Sequence, residues 1–123
     1  NMRNAPGGDK AILVSKANCG IPEYVNGAIH YNGTPEIMSR YATMAMDAGA
    51  DIIGGCCGTS PEHVAAMRKA LDGHTKGAAP TVEEIESVLG EVSKGGKAQF
   101  AGDLSVAGGA AEGAVTDRRS RRR

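Results

Sequence analysis

Cys56 and Cys57 stand side by side in the stretch DIIGGCCGTSPEHV, Asp51 to Val64, with Gly54 and Gly55 before them and Gly58 after. Neighbouring side chains on an extended strand point to opposite faces, so two adjacent thiols serve one centre only if the backbone turns beneath them. Glycine tolerates backbone angles closed to other residues, and Gly54, Gly55 and Gly58 are expected to supply that turn and aim both sulfurs at one point. Two readings of the pair stand. In one they are metal ligands, with zinc the natural candidate because it takes thiolates and has no redox chemistry with which to oxidise them. In the other they are inert thiols packed as small apolar groups. A disulfide between them is disfavoured, because ordinary bridges want their Cα atoms further apart than the roughly 3.8 Å of one trans peptide. Two ligands do not complete a zinc site.

The elements that would position the pair alternate between strand and helix. The run KAILVS, Lys10 to Ser15, reads as a short apolar strand that ends in KANCG and is followed by the turn-rich IPEYVNGAIHYNG. Thr34 then caps a helix, Pro35 suits its first position and Glu36 complements its dipole. Ile37, Tyr41, Met44, Ala45 and Ala48 repeat on one face until Gly49 stops the helix. ADII, ending at Ile53, is the next strand. After the cysteines the same start signal recurs as Ser60, Pro61, Glu62, with Val64, Met67 and Leu71 as the buried stripe and Gly73 as the stop. Two βα units in succession predict an α/β fold with a parallel sheet, in which chemistry collects at the carboxyl ends of the strands. Both Cys-Gly stretches lie there. Two parallel strands cannot bury both faces or satisfy their edges, so this layout reads as part of a larger sheet.

Composition bounds the rest. The 123 residues carry 3% aromatics, no Trp and 18 Gly, and no apolar run approaches the roughly 18 residues a membrane helix requires. No leader of a charged and then apolar kind opens the chain, and three cysteines, two of them adjacent, make no disulfide framework; the expectation is a reducing cytoplasm. The neutral total conceals an asymmetry. Residues 1–92 hold seven Lys or Arg against eleven Asp or Glu, while residues 93–123 hold seven against three and end in RRSRRR. TVEEIESVLGEV places Val82, Ile85, Leu89 and Val92 on one face of a helix capped by Thr81. The division expected is therefore 1–73 as the βα portion, 74–92 as linker and amphipathic helix, and 93–123 as a flexible Gly- and Ala-rich tail.

The stretch from Asp9 to about Leu71 resembles the carboxyl-terminal end of the homocysteine S-methyltransferase domain, on the strings NCGIPEYVNG and TPEIMSRYATMAMDAGADIIGGCCGTSPEHVAAM. The resemblance implies a (β/α)8 TIM barrel of which this chain holds the last two βα units plus a carboxyl-terminal extension. It implies that Cys56 and Cys57 are two of three zinc ligands, the third being a cysteine in a Gly-x-Asn-Cys motif upstream of Asn1. It implies zinc-dependent methyl transfer to homocysteine, forming methionine, by a zinc-bound thiolate attacking a small methyl donor. Betaine is the donor favoured by overall likeness. Gly54, Gly55 and Asn18 are the expected substrate contacts, although Asn18 also suits a purely local turn. The expected partners are homocysteine, the donor and the rest of the barrel, and the piece alone is expected to be inactive.

Other residues carry smaller expectations. Cys19 aligns with a position that is commonly alanine in the family, so it is expected near the site and not on the metal. His63, at a helix start, is expected beside the site, not as a ligand; His30 and His74 receive no role. Met38, Met44, Met46 and Met67 read as packing. Two alternatives come from other classes. A structural zinc module would need four closed ligands. A nucleic-acid-binding fragment would rest on the terminal arginines, which no stacking aromatics accompany.

Overall fold

In the computed structural model, residues 2–20 and 23–103 are described; Ile21, Pro22 and the arginine-rich end of the predicted tail lie outside them. A single 3-10 turn, Met2–Asn4, leads into β1, Val14–Ala17. A hairpin of β2, Glu23–Val25, and β3, Ala28–His30, precedes helix α1, Pro35–Asp47. Strand β4, Ile52–Gly55, helix α2, Pro61–Asp72, and helix α3, Val82–Leu89, follow. The contacts divide the chain into two units, Asn1–Glu91 and Val92–Arg123. The second contains helix α4, Lys94–Phe100, where the sequence suggested no element; Ser93 caps it by accepting from the Gly96 N–H. None of the described helices is long and apolar enough to cross a membrane.

Strands β1 and β4 pair in parallel, Val14 with Ile52 through Ala17 with Gly55. Each strand ends two residues further along than the apolar runs suggested, because the ladder continues through Lys16, Ala17, Gly54 and Gly55 to the edge of the cysteine turn. The described strands form two separate two-stranded sheets, β1 with β4 and β2 with β3. The architecture is thus mixed α/β with one parallel pair, and a closed barrel is not present in it. The hairpin, like α4, is an element the sequence reading missed. Asn26 and Gly27 both take positive φ, 51° and 83°, as a two-residue hairpin loop requires.

Helix α1 begins as read, with the Thr34 hydroxyl accepting from the Ile37 N–H. It ends at Asp47, two residues before Gly49, whose φ of 100° reverses the chain. Its buried stripe is not the one expected. Met38, Ala42 and Ala45 are buried, whereas Ile37, Tyr41, Met44 and Ala48 are only partly covered. The seam with α2, the most extensive helix contact, fixes this rotation, since Ala42 lets the helices close and Met38 and Met67 fill the space between. On α2, Val64 faces solvent instead of the core, and Met67 alone is fully buried. Cys19 completes the core cluster with Met38, Ala42 and Met67, against partly buried Tyr31, Tyr41, Ile53 and Leu71.

Two carboxylates tie the amino ends of the strands and the loop after α2. Asp51 Oδ2 accepts from the Leu13 N–H at 2.8 Å and from the Arg3 guanidinium, which also reaches the carbonyls of Gly49, Gly8 and Ala11. Asp47 Oδ1 accepts from the Gly77 N–H at 2.6 Å and from His74 Nε2 at 2.8 Å. His74, given no role from sequence, is thereby a tether. Both carboxyls are held below the usual aspartate value, Asp51 by the Leu13 N–H and then Arg3, Asp47 by the Gly77 N–H and then His74. Groups lowered on folding contribute fully above their unfolded value of about 3.9, and that contribution is lost as pH falls through the folded one. Thermal midpoints followed by circular dichroism should therefore fall as pH drops below about 4, and Asp47→Asn and Asp51→Asn should each flatten that fall. An unchanged acid limb in both variants would show that these ties do not govern it.

Candidate active site at the strand ends

The parallel ladder does not stop at Gly55. The Cys56 N–H donates to the Ala17 carbonyl at 2.8 Å, and the Cys19 N–H donates to the Cys57 carbonyl at 3.0 Å. Asn18 completes the arrangement from its side chain, with Oδ1 accepting from the Cys57 N–H at 3.2 Å. Residues 17–19 thus grip residues 56–57 by three hydrogen bonds. Cys56 and Cys57 are free thiols and exposed, while Cys19 is free and wholly buried. Among the described residues the adjacent pair is thus outside the core, whereas Cys19 is packed in it, with its Sγ 3.3 Å from the Thr59 hydroxyl.

The glycines act differently from the expectation. Gly54 and Gly55 lie in the extended ladder of β4, and only Gly58, with φ of 77°, takes an angle that favours glycine. The turn that exposes both thiols is made after them, not before. Gly55 is needed for space, because a Cβ there would run into the side chain of Thr59; at Gly54 a Cβ would touch only the stem of Lys16, at 4.0 Å. Gly58 lies flat against the Tyr31 ring, which a Cβ would overlap. Gly33 lies as closely against the backbone of Cys19 and donates its N–H to the Cys19 carbonyl at 2.8 Å. The loop that follows β3 is therefore wedged under both strand ends.

The first turn of α2 closes the site. Thr59 N–H donates back to the Cys56 carbonyl at 3.2 Å, and the Ser60 N–H donates to His63 Nδ1 at 3.2 Å. His63 Nε2 lies 2.9 Å from the Gly33 carbonyl, so both ring nitrogens are engaged within the protein. Glu62, 2.5 Å from the Ser60 hydroxyl, is held below the usual glutamate value by that bond first and by its own backbone N–H second. Thr59, Tyr31 and Gly33 drew no notice from sequence, and only the density of glycine around them hinted at close approach. Beside Asn18 a cavity of about 260 Å³ opens between the end of β1 and α1, walled by Ile37, Met38, Tyr41 and Leu89.

In kind, two exposed thiols at one strand end suit a thiolate-binding metal such as zinc. In number they fall short, since no three His, Cys, Asp or Glu side chains converge on a metal position among the described residues. Gly58→Ala is expected to cost about 1–2 kcal/mol through its left-handed backbone alone, plus the displacement of Tyr31. Tyr31→Ala in the same background should restore only the second part, and full recovery in a denaturant titration of the double variant would deny that the backbone angle matters. Residues 4–71, more than half of the chain, match the family described as homocysteine S-methyltransferase.

Proposed function

The chain belongs to the homocysteine S-methyltransferase family, and on that premise we propose that it contributes the paired-thiol edge of a site that methylates homocysteine to methionine. The observation that carries this reading is the pair of exposed free thiols at the carboxyl end of β4, locked to the end of β1. In the transfer, a bond forms between homocysteine's sulfur and the methyl carbon while the donor's bond to that carbon breaks. The thiol proton must leave first, since a free thiol with a pKa near about 8.5 is mostly protonated at neutral pH. Cys56 and Cys57 would hold zinc together with a third cysteine supplied from outside this sequence, and the metal would serve as a Lewis acid that favours the deprotonated sulfur.

The chain's own residues contribute by fixing the ligands. Asn18 and the backbone of Ala17 and Cys19 hold the cysteine turn, which limits the backbone rearrangement that binding of metal and substrate would require. Burial of Cys19 beneath them argues against its use as a ligand. A larger barrel around this piece is supported by the strand face turned away from the helices, where Val14 and Ile52 remain 52% and 54% exposed. Betaine as donor rests on likeness of sequence alone.

The test is made on an enzyme that contains the whole barrel. Cys56→Ala and Cys57→Ala should each release the zinc measured by elemental analysis and lower turnover with betaine and homocysteine by more than about 100-fold. Cys19→Ala should keep one equivalent of metal and most of the activity. Turnover surviving in a metal-free Cys56 or Cys57 variant would sink the mechanism. A fourth protein ligand, with no exchange on adding homocysteine, would favour a structural zinc module instead.

A further inference from the structure

His63 sits at the third position of α2, where a capping box ordinarily uses the side chain of Glu or Gln to accept from the cap's backbone N–H. Nδ1 performs that task for Ser60, at 3.2 Å. A ring nitrogen that accepts carries no proton, so the proton of the neutral ring is on Nε2. From there it donates to the Gly33 carbonyl at 2.9 Å, across 30 residues of sequence. The Gly33 N–H donates in turn to the Cys19 carbonyl, and the Cys19 N–H to the Cys57 carbonyl. A continuous run of hydrogen bonds therefore leads from the first turn of α2, through the loop after β3, to the backbone of the cysteine pair. Its members are pressed together, since Gly33 has no room for a Cβ against Cys19.

We propose that His63 is a positioning residue for the paired thiols, a strut that holds the Gly33 loop against Cys19 and so fixes the carbonyl side of Cys57. Its hydrogen-bond partners are Ser60 and Gly33, not the thiols, and it acts through Gly33 and Cys19. A cap alone would leave the second nitrogen without purpose, and imidazole is the side chain that accepts on one edge and donates on the other while staying rigid. The loop it braces lies against both strand-end turns, with Gly33 at Cys19 and Tyr31 at Gly58.

Two substitutions separate strut from cap. His63→Glu keeps the capping acceptor and adds a charge the helix start welcomes, but it has no donor for the Gly33 carbonyl. His63→Gln keeps both an acceptor and a donor. Amide hydrogen exchange in the full enzyme is the primary readout because it needs neither zinc nor turnover, although the link from positioning to metal rests on the methyltransferase reading. In His63→Glu the amides of Cys19 and Gly33 should exchange at least about tenfold faster, with the later turns of α2 unchanged, and zinc affinity in a chelator competition should fall about 10- to 100-fold. His63→Gln should match the parent in both. Exchange at Cys19 and Gly33 unchanged in a folded His63→Glu enzyme overturns the proposal. Should His63→Glu fail to fold, His63→Gln decides, since faster exchange at those two amides would show that a retained donor does not hold them. If exchange rises as expected while the parent itself binds no zinc, the strut stands and the methyl-transfer reading falls.

Discussion

The structure of the first unit hangs on a parallel ladder that outlasts its strands. The two chain segments leave the sheet at Ala17 and Gly55, yet they go on exchanging backbone hydrogen bonds as far as Cys19 and Cys57. Most parallel pairs splay once the strands end, because each chain must turn away to begin its crossover. Here the divergence is delayed by two residues on each segment and reinforced by the Asn18 side chain. Delay is what leaves two adjacent thiols outside while a third, on the neighbouring segment, is sealed beneath them.

Space is managed as tightly as hydrogen bonding. Gly33, Gly55 and Gly58 each border a group that a methyl would strike, namely the Cys19 backbone, Thr59 and Tyr31. Only Gly58 also needs its backbone angle. Behind this layer the core is made chiefly of sulfur and small side chains, with Met38 and Met67 closing over Ala42 and Cys19. Thioethers adapt their shape to irregular gaps, which suits a helix pair that must follow the strands it covers. With few aromatics in the chain, close approach of backbone replaces bulk as the source of contact.

Local signals in the sequence were read well, and long-range ones less so. The Thr-Pro-Glu and Ser-Pro-Glu starts located α1 and α2, because capping is decided by a few neighbouring residues. The buried stripe of α1 was misplaced by one residue, since Ile37 and Met38 are equally apolar and only the position of α2 selects between them. The adjacent cysteines were legible as a site, whereas the part played by the neighbouring glycines was assigned to the wrong ones. Pairing with β1 keeps Gly54 and Gly55 extended, and no local pattern announces a parallel partner 38 residues away. Asn26-Gly27 between short apolar runs is a hairpin signal, but the flanking strands are only three residues long and sit among glycines and polar residues that equally suit a loop.

That hairpin has a consequence for how the chain finds its fold. Its Asn-Gly turn and three residue pairs are all local, so its closure costs little chain entropy and can precede any long-range contact. Once formed, it brings Glu23 and His30 together and shortens the excursion that separates β1 from α1. The segments that must meet at the thiol pair are then linked by a smaller effective loop than the sequence suggests. Closure cost grows only with the logarithm of loop length, so the hairpin lowers the entropy cost of bringing β1 and β4 into register by a modest amount, on the order of tenths of a kcal/mol.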